Sequence, residues 1–458
     1  MAWARGRVFD MEGDSGIVEE LKNIVEVLQD KEDYEEDWWV YSKIAGRAGN
    51  CLAAVRPKNE KEVSDVIKFC YEKGISVTCR GGGSSVTGAS VPLQGILMDM
   101  SAMNKIINVD IENSIATVEA GIVLKKAEEA LNAYGYTLGH FPQSFELATV
   151  GGFISTMGTG EFSNYYGGIE DSCISLRIVL PDGSIIDTKK SEAPRSSTGP
   201  DLTRLFVGAE GMLGVIVSVT LKIHKIPSIT CKLAFSFPSF EHAVYASKQL
   251  LDFDIKPALC RIYNEDEANF LFGIRKVMML LIYYFRSRNV MDSILKEVKD
   301  SMRKESAIEE DTHYVDKWLE SRYRFREQTE FFSRANLVVE TAEVAALWSR
   351  VYSLYEDVVR NVSNINGVHA VGAHVSHIYN EGACIYFSII LDSSKEAYRS
   401  IWQGIEYSCI KNKATVSHHH GVGMLKSDMV KKEIPYSLLE KIKRAMDEKA
   451  IMNPGKLL

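Results

Sequence analysis

The sequence lacks a basic excess. Its 458 residues carry 53 lysines and arginines against 61 aspartates and glutamates, a net charge of −8. Proteins that grip nucleic acid show clustered positive charge, so nucleic acid is excluded as the expected partner. Long apolar runs are also missing. The longest wholly apolar stretch is Val277 to Phe285, far short of the ~20 residues that a bilayer-spanning helix takes. The opening MAWARGRVFDMEG has no apolar core of the signal-peptide kind, and the ending Gly455-Lys456-Leu457-Leu458 is not a peroxisomal address. A cytoplasmic protein is expected. Paired cysteines are absent too: Cys51, Cys70, Cys79, Cys173, Cys231, Cys260, Cys384 and Cys409 form no C-x-x-C. That spacing excludes a zinc ribbon or a dense disulfide framework and suits small buried side chains in a reducing compartment. No internal repeat or low-complexity tract interrupts the chain.

What is present is ample core material. Hydrophobic residues make up 46% and charged residues 25%, and the length suits about three units. Apolar positions in 16–31 mark one helix face. Pro57 and Asn59-x-x-Glu62 then open a helix that Gly74 closes. Ile75–Cys79 and Ile96–Met100 read as strands, 105–109 and 114–120 as a hairpin, and 123–134 as a helix. Met212 to Ile223 alternates like strands. After Pro227, charged helices are expected over 289–310, 314–334 and 343–362, between strand-like runs at 231–236, 277–285 and 384–391.

The chemistry concentrates in the glycine loop, Arg80-Gly81-Gly82-Gly83-Ser84-Ser85-Val86-Thr87-Gly88-Ala89. Small residues in a row bring the backbone close to a ligand and leave N–H groups to face a phosphate. A nucleotide-hydrolysing loop needs a lysine after the second glycine; Ala89 stands there. A dinucleotide fingerprint needs glycine at 86 and a following helix; Val86 and a strand stand there. A second cluster follows in Gly139-His140-x-Pro142-x-Ser144, Gly151-Gly152, Gly158-x-Gly160 and Tyr166-Gly167-Gly168. Two such regions flanking strands suit a long ligand such as a flavin dinucleotide.

Several segments resemble the FAD-binding domain of the vanillyl-alcohol oxidase superfamily: RGGGSSVTGASVPLQGILMDMSAMNKI, GHFPQSFELATVGGFIST, YYGGIEDSCISLRIVLPDG and GPDLTRLFVGAEGMLGVIVSVTLKI. The ending IMNPGKLL is similar to the glycolate oxidase and D-lactate dehydrogenase branch. The resemblance implies an α+β fold: a two-subdomain PCMH-type FAD-binding domain plus an α+β cap domain with an antiparallel sheet. It implies an N-terminal helical segment over 1–39, the FAD domain over 40–228 and the cap over 229–405. Residues 406–458 would return to the FAD domain. Arg80, Gly81, Gly82, Gly83, Ser84, Ser85, Thr87 and Gly88 would hold the pyrophosphate. His140, Pro142, Ser144, Thr149, Gly151, Gly152 and Ser155 would line the flavin; His140 also reads as a structural histidine. Glu210, Gly211, Gly214 and Ile216 would close over the cofactor. The first loop has no histidine, so non-covalent FAD is implied.

Three further segments resemble the alkyldihydroxyacetonephosphate synthase branch: Pro257 to Arg261, Tyr379 to Phe387, and Ser417 to Gly423. That branch exchanges the acyl chain of acyl-dihydroxyacetone phosphate for a fatty alcohol. The resemblance gives Tyr386 the role of base, assisted by His418, His419 and His420, with at most two of the three histidines facing the flavin. Arg261 would hold the phosphate and Arg326 would stand near the flavin. Without the resemblance, Tyr386 reads as a core tyrosine and Arg261 as a surface arginine. The 2-hydroxyacid dehydrogenase branch is the alternative. Its metal segment is reduced here to His374, carried over as substrate-binding. His419 replaces the metal carboxylate, so no metal is expected in the usual site, although His374, His377 and His418 could gather. The expected substrate is a small or lipid-like molecule. Peripheral membrane contact through Trp38 to Tyr41 and a homodimer complete the expectations.

Overall fold

The computed structural model describes residues 11–46, 49–191, 193–324 and 331–458. Four sheets organise the chain. The first runs in the order Glu26–Val27, Ala53–Arg56, Ile96–Asp99, Val77–Arg80, and its last three strands are parallel. The helix Glu60–Lys73 crosses between them. Asn59 caps it by accepting the Glu62 N–H, and Gly74 ends it in the left-handed conformation. Its apolar stripe of Val63, Val66, Ile67 and Cys70 is buried against that sheet.

The second sheet is antiparallel, in the order Ile106–Asp110, Ile115–Glu119, Val215–Lys222, Cys173–Val179, Ile185–Asp187. A two-stranded ribbon pairs Tyr136–Thr137 with His224–Lys225. The fourth sheet has seven antiparallel strands. Its order is Ile308–Glu310, Ile229–Phe237, Val277–Phe285, Leu259–Tyr263, Val368–Ile378, Gly382–Asp392, Leu337–Leu347. Among the described residues no helix is long and apolar enough to cross a membrane.

The hairpin, the glycine-capped helix and the strands at 277–285 and 384–391 lie where the pattern puts them. Four helices do not. The stripe over 16–31 ends as a helix at Lys22, and Glu26–Val27 joins the edge of the first sheet. Leu21 and Val25 are buried by a turn rather than by a continuous face. The helix expected over 289–310 runs Arg288–Lys304; the chain then turns through Ser306 at positive φ and adds Ile308–Glu310 as an edge strand. In the segment expected as a helix over 314–334, His313–Ser321 is helical and 325–330 lies outside the described residues.

The largest departure is at 343–347. Glu and Ala there favour a helix, yet Leu337–Leu347 pairs residue for residue with Gly382–Asp392, and the helix starts only at Trp348. Eleven ladder positions on a buried sheet outweigh local propensity. This departure matters because it turns Glu343 into the sheet.

The C-terminal residues close onto the first sheet. Met452 bridges Val77, and Asn453 Nδ2 donates to the carbonyls of Ala89 and Glu210. The described elements thus bring the glycine loop, the seven-stranded sheet and the C-terminal turn around one cavity.

Candidate active site

Pleating puts alternate residues of a strand on one face. On the cavity face of the seven-stranded sheet, register aligns His374, Tyr386 and Glu343 in one row. Gly372, Ser388 and Thr341 form the next row, and Ala370, Ile390 and Val339 the third. Chemistry stands at one end of this strip and small or apolar side chains at the other.

Tyr386 is the centre of the polar end. Its hydroxyl lies 2.8 Å from Nε2 of His419 and 3.2 Å from Nε2 of His377. A phenol has one proton, so it donates to one imidazole and accepts from the other. His377 Nδ1 is fixed by Ser163 Oγ at 2.7 Å. His419 Nδ1 meets His418 Nδ1 at 2.8 Å, and His418 Nε2 meets the Tyr379 hydroxyl at 2.7 Å. Burial drives all three rings towards the neutral form: His418 falls to about 4, and His377 and His419 fall well below the usual histidine range. Burial raises Tyr386 well above the ordinary phenol value, so it stays protonated.

Of the histidine triplet, His419 faces Tyr386, His418 faces Tyr379, and His420 turns to Glu343 with Nδ1 at 3.2 Å. Sequence reasoning missed Glu343. Its Oε1 accepts the backbone N–H groups of His418, His419 and His420, at 3.1, 3.2 and 2.9 Å. Its Oε2 pairs with Lys426 Nζ at 2.8 Å. Burial opposes this charge, but His420 and Lys426 outweigh it and hold the carboxyl well below the usual range. One buried carboxylate therefore folds the turn that presents His419. The only signal in the sequence was an acid inside an apolar run.

His374 stacks on Tyr386, ring centres 4.6 Å apart, and its Nδ1 bonds Glu267 at 2.8 Å. It does not join the other histidines. The trio whose ring nitrogens lie within 4.8 Å of one another is His377, His418 and His419, an arrangement that a small divalent ion could draw together.

Arg261 is buried, not on the surface. Nε donates to the Tyr263 hydroxyl at 2.6 Å and Nη1 to Ser376 Oγ at 3.2 Å. Burial works against its charge, but Tyr263, Glu161 and Tyr386 outweigh that and leave its pKa raised. Arg326 lies outside the described residues. Beside Arg80 and Arg261, the cavity is lined by Arg322, whose Nη1 donates to Glu161 at 3.1 Å. Neither Arg322 nor Glu161 was singled out from sequence.

The cavity itself is about 770 Å³, within the range of cofactor pockets. Arg80, Gly81, Gly82, Gly83, Ser84 and Ser85 form one end. Pro142, Ser144, Thr149, Gly151, Gly152 and Ser155 follow, then Glu210, Gly211, Gly214 and Ile216. Tyr386, His374, His419, His420 and Arg261 stand on the same wall system. Three expected cofactor residues are elsewhere. Thr87 is buried with its carbonyl accepting from Met424 and Leu425, and Gly88 packs on Trp39 and Met424. His140 is fully buried behind the wall, on Ser172 Oγ at 2.9 Å, so its place is structural. The Arg80 guanidinium turns away to the carbonyls of Glu36 and Tyr34, which leaves backbone to face the ligand. Glu210 is also a scaffold: its carboxylate accepts the N–H groups of Val422 and Gly423.

An FAD fits these residues. Among the described residues, the backbone N–H groups of Gly82, Gly83 and Ser84 have no protein acceptor. A Cβ at Gly82 would overlap the Leu147 carbonyl, so only glycine lets the loop pass there. Unpaired amides in a narrow glycine loop are what a pyrophosphate requires.

Comparison with known proteins agrees. The family model of the FAD binding domain matches residues 51–189, and that of the C-terminal domain of FAD linked oxidases matches residues 226–457. The chain belongs to the FAD-linked oxidases, and its cofactor is FAD. It is 28% identical over 456 residues to alkyldihydroxyacetonephosphate synthase of Dictyostelium discoideum, covering 88% of this chain and 72% of that one. It is 28% identical to D-lactate dehydrogenase of Archaeoglobus fulgidus, covering 96% and 99%. A solved structure of alkyldihydroxyacetonephosphate synthase superposes with a TM-score of 0.81 at 23% identity, over 96% of this chain and 84% of that one. The fold is the same.

Proposed function

We propose that the chain catalyses an exchange of the alkyldihydroxyacetonephosphate synthase kind. The acyl ester of a ketone-bearing phosphate would be replaced by a fatty alcohol. The observation that carries the reading is Tyr386 held between two neutral imidazoles, His419 and His377. The proton next to the ketone needs an acceptor, and a buried neutral phenol is a poor one by itself. Tyr386 becomes competent by passing its own proton to an imidazole as it takes the substrate's. His374, stacked on the Tyr386 ring, keeps the phenol in place. When bound, FAD would supply an electron-accepting ring beside these residues.

Atoms balance without net oxidation. The bond between the ester oxygen and the carbon beside the ketone breaks, the acyl group leaves as a carboxylate, and the proton taken from that carbon is returned to it at the end. The alcohol oxygen forms the new C–O bond, and its proton leaves. Arg261, with Arg322 beyond Glu161, supports recognition of the anionic group. The strip from Ser388 to Ile390 and Val339 supports an apolar chain; from the Tyr386 row to the Ile390 row the distance is ~13 Å at two residues per row. Incubation of FAD-loaded protein with acyl-dihydroxyacetone phosphate and labelled hexadecanol tests the reading. Labelled ether product is expected, and no transfer of label refutes it.

A second reading is FAD-linked oxidation of a 2-hydroxyacid. The D-lactate dehydrogenase likeness over 99% of that protein favours it. In that case D-lactate or glycolate, added anaerobically, would bleach the flavin bands.

A further inference from the structure

We infer that Glu161 is an internal counter-ion, which the anionic group of the substrate displaces from Arg322. The inference rests on the reading of Arg261 and Arg322 as the anion site. The Glu161–Arg322 pair lies in the cavity wall, with side chains 10% and 14% exposed. Arg322 is boxed by the rings of Phe141, Phe162, Trp318 and Tyr323, at 5.7, 5.5, 5.4 and 4.6 Å. Its Nε is buried and has no acceptor among the described residues. The guanidinium therefore keeps donor capacity beyond the one bond to Glu161. Among the described residues Arg261 hydrogen-bonds the uncharged Tyr263 and Ser376 and lies over the Trp318 ring at 5.2 Å.

An anion arriving at Arg322 meets Glu161 there first. In a wall of aromatic rings, two negative groups on one guanidinium repel strongly. The groups that act on Glu161 are few. Arg322 comes from the end of the helix His313–Ser321, and Arg261 from the strand Leu259–Tyr263. The nearby phenols of Tyr263, Tyr323 and Tyr386 are all raised by burial and stay neutral. Of the other carboxylates that line the cavity, Asp266 pairs with Arg275, and Glu267 engages His374 and Ser388 through Oε1 alone, its Oε2 having no partner among the described residues. Burial already pushes Glu161 upward, and among the described residues only Arg322 and Arg261 pull it back. Once the substrate takes Arg322, that restraint weakens and the carboxyl takes up a proton. Anion binding is then linked to proton uptake, and it weakens as pH rises.

Calorimetric titration of the FAD-loaded protein with sulfate, and separately with glycolate, tests this. Both anions keep a fixed charge between about pH 6 and 8, so any slope belongs to the protein. Two buffers of unlike ionisation heat report protons directly on the wild type. Close to one proton taken up per anion is expected, with sulfate affinity falling close to ten-fold per pH unit. Glu161→Gln should take up none, lose the slope and bind sulfate about ten-fold or more tighter at pH 8. Binding that Arg322→Gln weakens, but without proton uptake in the wild type, overturns the displacement alone. Equal slopes in the wild type and Glu161→Gln do the same. No binding of either anion overturns the anion-site reading and this inference together.

Discussion

Replacing Glu343 by glutamine should cost both stability and turnover, and the two losses have one cause. Glu343 is fully buried and its partner Lys426 is 1% exposed. Its Oε1 gathers three consecutive N–H groups of the histidine turn. An amide keeps the size and part of the hydrogen bonding but leaves the Lys426 ammonium without its counter-charge. Breaking one side of a buried pair costs about 3–5 kcal/mol. The loss should appear as a lower urea midpoint. The His419–Tyr386 contact depends on the same turn, so turnover should fall even where the flavin is retained. The pH dependence has a definite sign. The folded carboxyl is held well below its ordinary value. Its contribution is therefore complete above the unfolded value of ~4.3 and is lost as pH falls through the lower folded value. The variant should lose that part of the acid limb. Adding Lys426→Met to Glu343→Gln should recover much of the stability, since no unpaired charge then remains. A single variant within about 1 kcal/mol of wild type, or no recovery in the double variant, would refute the role given to this pair.

Three other outcomes follow from the site. Tyr386→Phe should bind FAD normally and lose turnover by roughly 10²–10⁴-fold, the usual worth of a positioned proton-transfer group; steady-state rates beside the flavin spectrum check it. Gly82→Ala places a Cβ on the Leu147 carbonyl and should reduce FAD retention after gel filtration, while Gly211→Ala, where a Cβ meets nothing within 4 Å but φ is +75°, should act through backbone strain alone. His418 sits at about 4 instead of 6.5 in the fold, so the unfolded chain binds the extra proton first. Stability should fall as pH drops from ~6.5 towards 4, and His418→Gln should flatten that part of the curve in urea titrations at stepped pH.

Local chemistry made the cofactor end of the cavity legible from sequence. Arg80 to Ser85 had to be a backbone cradle because nothing else explains three glycines and two serines in a row. The loop's limit was not legible. Thr87 and Gly88 belong to the same run, yet the C-terminal turn at Met424 claims them. His140 lay between two glycine clusters, but its orientation depends on Ser172, 32 residues away. The catalytic end was half legible. Tyr386 and the histidine triplet were read through family likeness, and the turn that aims only His419 at Tyr386 is fixed by Glu343. That contact spans 76 residues and required Leu337–Leu347 to be a strand against its helical composition. Glu161 and Arg322 gave no local signal at all. An acid after glycine and an arginine at a helix end are ordinary on a surface, and only tertiary packing puts them in one cavity.

In the proposed reaction Tyr386, relayed through His419 and His377, takes a proton from the carbon beside the substrate's ketone. FAD-loaded protein mixed with acyl-dihydroxyacetone phosphate in deuterated water, without any alcohol, tests this most directly. Proton NMR should show deuterium entering at that carbon with the wild type and not with Tyr386→Phe. No deuterium entry with a protein that forms the ether once alcohol is added, or equal entry with Tyr386→Phe, would contradict it.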